Sequence, residues 1–253
     1  MSTLPLSAPA PSGVLRLPRL SRGGAQVALF LLAYLVYSGA RYFTIGDLGD
    51  ATANAHWIVR LEDHLDLGIE GAVQQALTGS VVLWLLNHVY LAAQLVVLPG
   101  ALWMLHRTAR PAYARLRNTV LATWLLSIPV YGLFPVAPPR LANIGLVDTI
   151  SSQTGFAMDS SLTTSFYNEL AAVPSLHVGF AFAVGIAVAS ATSNRALKVL
   201  GHLWGPIVAL AVVATGNHYI FDIVAGMVAA AVGYGLALLV SKGTRAVASN
   251  QEA

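Results

Sequence analysis

His218 and Asp222 stand four residues apart in the stretch Thr215-Gly216-Asn217-His218-Tyr219-Ile220-Phe221-Asp222. On a helix, positions i and i+4 share a face, with Cβ atoms about 5–6 Å apart. A carboxylate there holds one imidazole nitrogen and leaves the other free to react. Asp222 is also the one acidic residue inside an apolar run, where an ionisable group is costly enough to mark a functional site. A second histidine, His177, follows Pro174-Ser175-Leu176, and Arg140 follows Pro138-Pro139. Two imidazoles, a carboxylate and a guanidinium suit phosphoryl transfer. Arginine clamps phosphate with a planar fork of donors. A neutral imidazole can attack phosphorus and form a covalent intermediate. The carboxylate fixes the tautomer of that ring and steadies its developing charge, while the second imidazole gives a proton to the leaving oxygen. Backbone N–H groups at a helix start near residues 175–178 can add to anion binding.

A metal reading uses the same side chains. A catalytic zinc wants three protein ligands, and His177, His218 and Asp222 can supply them. Arg140 at the same place would repel a cation, so the reading adopted here calls for no metal and no other cofactor. There is no cysteine, hence no disulfide and no thiolate site. His56, His64, His106 and His202 read as ordinary interface residues.

These residues need a scaffold, and the composition says which kind. Of 253 residues, 56% are hydrophobic and 10% charged, with mean hydropathy +0.67. A soluble domain is about 25% charged. The expected fold is an all-α integral membrane protein: six transmembrane helices in one bundle, plus interfacial amphipathic helices. The predicted spans are residues 25–43, 81–105, 119–134, 178–190, 199–215 and 218–240, with Pro129 kinking or ending the third. Residues 1–23, rich in Pro and Arg, read as a disordered cytoplasmic tail; residues 24–241 form the membrane domain, and 242–253 a second cytoplasmic tail. In residues 50–78, Ile58, Leu61, Leu65 and Val73 alternate with Glu62, Asp66, Glu70 and Gln74, the pattern of helices lying at the interface or capping the bundle. Residues 106–118 read as a basic loop. Asn87, His88 and Gln94 read as polar groups bonding between helices.

The net charge is +3, and the basic residues do not cluster as a nucleic-acid surface requires. Six spans put both termini on one side, and eleven of the 14 Lys and Arg fall there. The positive-inside rule makes that side cytoplasmic, in a plasma or inner membrane. Arg140, His177, His218 and Asp222 then converge on the extracytoplasmic side.

Pro174-Ser175-Leu176-His177 and His218-Tyr219-Ile220-Phe221-Asp222 resemble two signature motifs of the type 2 phosphatidic acid phosphatase superfamily, and Pro138-Pro139-Arg140 resembles a shortened first motif. The resemblance covers residues 135–226 and the six-span layout. It implies His218 as nucleophile, Asp222 as its orienter, His177 as general acid and Arg140 as a phosphate ligand. The family pattern has a lysine seven residues before the arginine, where this chain has Leu133, and Ser-Arg ahead of the histidine, where it has Ala211 and Val212. Ser175, Asn217 and Tyr219 are candidate substitute phosphate donors. The Pro-Pro-Arg and His-Tyr-x-x-Asp forms are most similar to the inositol phosphorylceramide synthase branch, which moves phosphorylated headgroups between lipids. The function implied is a lipid phosphatase or phosphotransferase, with a lipid phosphate or phospholipid as partner. A flippase for lipid-linked phosphates and a zinc-dependent membrane hydrolase are the competing readings. The oligomeric state and the acceptor, water or alcohol, are not legible.

Overall fold

The computed structural model describes residues 22–44, 46–164 and 167–251. The chain divides into two compact units, Met1–Leu35 and Val36–Ala253. The predicted tail falls almost wholly on residues 1–21, outside the described residues. The described part of the first unit is the beginning of helix α1 (Arg22–Thr44).

In the second unit the helices follow in order: α2 (Leu48–His64), α3 (Glu70–Leu77), α4 (Val81–Ala92), α5 (Leu98–Thr108), α6 (Arg110–Leu133), α7 (Thr149–Thr154), α8 (Ser161–Thr164), α9 (Leu176–Ala191), α10 (Arg195–Ala214) and α11 (Ile220–Gln251). Among the described residues there is no strand, only a single parallel bridge between Val136 and Ala171. A π turn over Ala93–Val97 joins α4 to α5 just before Pro99, which has no N–H to return to the preceding turn.

Among the described residues, four helical stretches are long and apolar enough to cross a bilayer: Gly23–Tyr42, Val81–Thr108, Arg195–Ala214 and Ile220–Ser241. They are consistent with a membrane protein. The other two predicted spans are helices of a different character. Helix α9 has 16 residues, short of the roughly 20 needed to span hydrocarbon. Helix α6 has 24 residues but carries Arg110, Arg115 and Arg117 in its first turns. The basic loop expected at 106–118 is therefore helical apart from the break at Ala109. Pro111 sits in the first turn of α6, where a missing N–H does no harm, and the Ala, Leu and Arg that follow are good helix formers. Pro129 lies inside α6 without ending it. Likewise α11 runs on to Gln251 through the stretch read as a tail.

Helix α9 packs against α6, α10 and α11, and α10 packs against α3 and α4. Glycine sets the closest approaches. A Cβ on Gly226 of α11 would lie 2.3 Å from the Ser175 carbonyl oxygen at the head of α9. Bare backbone there lets the Asp222 carbonyl accept a hydrogen bond from the Ser175 N–H at 3.1 Å. One apolar cluster, with Ala51, Ala55 and Ile58 of α2 packed on Val136, Ala137, Ala172, Val173 and Tyr219, locks the amphipathic segment onto the motif-bearing loops. Asn87 of α4 donates to the Thr149 carbonyl and accepts from its hydroxyl, holding α7 to the bundle.

Gly226→Ala must push α11 off the head of α9. It is expected to cost about 1–3 kcal/mol, as overpacking does, and to lower the midpoint of thermal unfolding in detergent. Gly235→Ala, with nothing within 4 Å of the added carbon, is expected to leave that midpoint unchanged or raise it slightly.

Candidate active site

The turn between α10 and α11 carries the first histidine. Gly216 takes φ +71°, a conformation that favours glycine, and folds the chain back so that the Asn217 and His218 N–H groups both donate to the Val212 carbonyl, at 3.0 and 3.2 Å. Helix α11 starts only at Ile220. His218 and Asp222 therefore do not meet as two positions of one helix face. His218 stands in the turn, and Asp222 reaches back from the first turn of α11: its Oδ2 accepts from His218 Nδ1 at 3.1 Å and from the Tyr219 N–H at 3.0 Å. The carboxylate thus closes the turn and orients the ring together. Asp222 is fully buried and His218 is 6% exposed. The Ala172 carbonyl also approaches the His218 ring.

His177 is the second residue of α9, whose N-cap is Ser175. Its ring stacks on Tyr90 of α4 with centroids 4.1 Å apart, and faces the His218 ring at 6.1 Å. Arg140 lies in a short 3-10 turn, Pro139–Leu141. Its backbone N–H donates to the Gly216 carbonyl at 2.9 Å. Its Nε donates to Asn217 Oδ1 at 3.0 Å, and its Nη2 to the Tyr167 hydroxyl at 3.4 Å. Glu169 stands 3.9 Å from Nη2. A guanidinium has five N–H donors, so most remain for an anion.

Arg140, His177, His218 and Asn217 all line one cavity of about 140 Å³, walled also by Tyr90, Gln94, Tyr131, Tyr167, Asn168 and Glu169. Sites that enclose a whole small molecule run to about 300–1,000 Å³. This one has room for a group about the size of a phosphate. Ser175 and Tyr219, offered as phosphate donors, are not among its walls. The Ser175 hydroxyl accepts from the Val178 N–H as a helix cap, and the Tyr219 hydroxyl donates to the Ala137 carbonyl at 3.1 Å. Both residues are fully buried. Asn217 reaches the cavity but uses its amide to brace Arg140 and to donate to Thr215. Among the described residues, no three His, Asp or Glu side chains are gathered to hold a metal ion.

A family model described as the PAP2 superfamily matches residues 56–236. The chain belongs to the PAP2 superfamily. No curated protein and no solved structure matches the chain. Membership points to phosphatase-type chemistry on phosphate esters, and it frames two departures from the PAP2 pattern in physical terms. Leu133, at the place of the family lysine, is 86% exposed and is not among the cavity's walls. Ala211 and Val212, at the place of Ser-Arg, are fully buried in the core. Neither position lines the cavity.

Sequence reading missed three groups. Asn168 is one: its Oδ1 accepts from the Leu170 N–H, while its buried Nδ2, in a residue that lines the cavity, has no hydrogen-bond partner. The other two are Glu62 and Glu70, 2% and 5% exposed. They belong to α2 and α3, but their Oε1 atoms accept from the first two N–H groups of α11, Phe221 at 2.6 Å and Ile220 at 2.9 Å. A helix start leaves such groups unsatisfied, and here carboxyls from a distant segment take them. The sequence signal was acidic residues at apolar spacing, which solvent exposure would explain equally well.

Burial, with the Glu70 carboxyl beside it and Asp222 near, pushes Glu62 up from 4.5 to about 8. Native protein therefore keeps a proton that the unfolded chain has lost, and the stability this contributes is present below about pH 4.5 and lost as pH rises through about 8. Glu62→Gln mimics the protonated form and keeps the acceptor for Phe221. It is expected to flatten the fall in thermal midpoint between those pH values, whereas Glu62→Ala, which orphans a buried N–H, is expected to cost about 1–3 kcal/mol across the range.

Proposed function

We propose that the protein is a membrane lipid phosphatase or headgroup phosphotransferase that works through a phosphohistidine on His218. The observation that carries this reading is the pair of imidazoles 6.1 Å apart on one small cavity, one of them bonded to a buried carboxylate, with a braced guanidinium in the same wall. With Nδ1 donating to Asp222, the other nitrogen, Nε2, carries the lone pair. It attacks phosphorus as the P–O bond to the leaving group breaks, and His177 supplies the proton that the leaving oxygen needs. In the second half, water or an alcohol attacks phosphorus, its proton passes to His177, and the N–P bond breaks. Arg140 holds the non-reacting oxygens throughout.

Charge favours one class of ester. Among the described residues the cavity is lined by a single guanidinium, that of Arg140, with the Glu169 carboxylate 3.9 Å away. A phosphodiester carries one negative charge and a phosphomonoester nearly two, so the diester is the better match. That supports headgroup transfer of the inositol phosphorylceramide synthase kind over simple dephosphorylation. The excess of Lys and Arg in the segments on the opposite side supports an extracytoplasmic site with cytoplasmic termini.

Purified protein in detergent is expected to release or exchange a headgroup from a phospholipid, faster on adding an alcohol acceptor if it is a transferase. A phosphoryl label on His218, labile to acid, is expected in quenched reactions. His218→Ala should abolish both label and turnover, and His177→Ala should slow turnover by about 10²–10⁴. Lipid transport that persists in His218→Ala without any ester cleavage would favour the flippase reading, and activity that needs stoichiometric zinc would favour the hydrolase.

A further inference from the structure

A second and larger cavity, about 510 Å³, lies between α6, α9 and α11, and its walls hold none of the residues of the histidine site. It lies further along these helices, away from the histidine site. His177 begins α9, whereas the α9 residues that line the second cavity run from Phe182 to Ser190, about 8 to 20 Å of helix rise beyond it. Helix α6 gives the same direction. Its last turn leads toward Arg140, whereas Arg115, in its second turn, lines this cavity.

Its lining has two parts. Most of it is apolar: four alanines, Ala183, Ala187, Ala230 and Ala231, leave a trough between the larger Leu116, Phe182, Ile186 and Met227. At one end stands a guanidinium, that of Arg115. Among the described residues Arg115 has no ion pair and no side-chain hydrogen bond, unlike Arg117, which bonds Asn118 and lies over the Tyr113 ring. An arginine that faces an apolar trough with its donors unused matches a molecule with an anionic head and a hydrocarbon tail. Basic pockets between membrane helices hold anionic headgroups on the same physical grounds.

We propose that this trough is a binding site for an anionic phospholipid, with the acyl chain along the alanine floor and the phosphate on Arg115. The lipid comes from the leaflet away from the histidine cavity and is therefore not the substrate. Bound between α6, α9 and α11, it ties together the three helices whose far ends present Arg140, His177 and Asp222. The site does not depend on the proposed chemistry, and its test needs no turnover.

The test is the thermal midpoint of the full chain in neutral detergent, titrated with phosphatidylglycerol or with phosphatidylcholine of the same acyl chains. Phosphatidylglycerol is expected to raise the midpoint by about 3 °C or more, and phosphatidylcholine by less than half as much. Arg115→Lys keeps the charge and should keep most of the shift, while Arg115→Gln should lose it. Ala231→Phe, at an exposed position on the trough, should lose it with Arg115 intact. Equal shifts from both lipids, or a full shift in Arg115→Gln, would overturn the proposal. So would a full shift in Ala231→Phe, because the lipid would then be held by surface charge alone.

Discussion

The structure turns on a single residue that is bonded at both its ends. The Asp222 carboxylate accepts from His218 and from the Tyr219 N–H, and its peptide carbonyl accepts from the Ser175 N–H. Burying a carboxylate is costly unless it is hydrogen-bonded, and hydrogen bonds to charged groups are each worth about 1.5–3 kcal/mol. This residue therefore cannot move without losing several of them together. The side-chain bonds set the His218 ring, and the backbone bond sets the start of α9 two residues before His177. The distance between the two imidazoles is fixed by covalent geometry on either side of one contact. Gly226, one helical turn further along, is the steric condition for that contact.

The segment before α4 makes sense in this light. Its apolar side, with Ala51, Ala55 and Ile58, packs on the loops that carry Arg140 and His177, and its carboxyls Glu62 and Glu70 take the leading N–H groups of α11. A helix that begins just after the His218 turn has nothing local to cap it, since the preceding residues are already committed to the turn. Two acidic side chains from elsewhere supply the caps, and they fix both the depth and the rotation of α11. The amphipathic helices are thus part of how the site is held, rather than a cover laid over it.

Much of this was legible in the residues. His218, Asp222, His177 and Arg140 are rare polar types in an apolar chain, so their spacing stands out, and the structure brings all four to one place. What was not legible depends on how the chain crosses itself. The His218–Asp222 bond exists because a left-handed glycine and a turn bring the ring back to the helix start, where a pure helical reading would place both residues on α11. Ser175 and Tyr219 sit within the motifs and look available, yet one caps α9 and the other anchors a loop carbonyl. Asn168, Glu62 and Glu70 lie outside any motif, and their partners are 2 to about 160 residues away in sequence. The basic stretch after α5 looked like a loop because arginines cluster in loops, but their intrinsic preference is helical.

The same crossing explains why, among the described residues, one cation lines the cavity where the family pattern has more. An arginine at position 212 would have to enter a core position that is fully buried and whose carbonyl already closes the His218 turn. A lysine at position 133 would point outward. The chain instead places its one guanidinium where little water competes, braced by Asn217 and Tyr167. In such surroundings a fixed charge acts far more strongly than it does in water, and it need not reorganise when an anion arrives. A site of this kind trades total charge for position. Under the proposed chemistry, a singly charged phosphoryl group matches that one guanidinium better than a doubly charged one. The electrostatic argument for a diester therefore follows from the same packing that puts Val212 in the core and turns Leu133 outward.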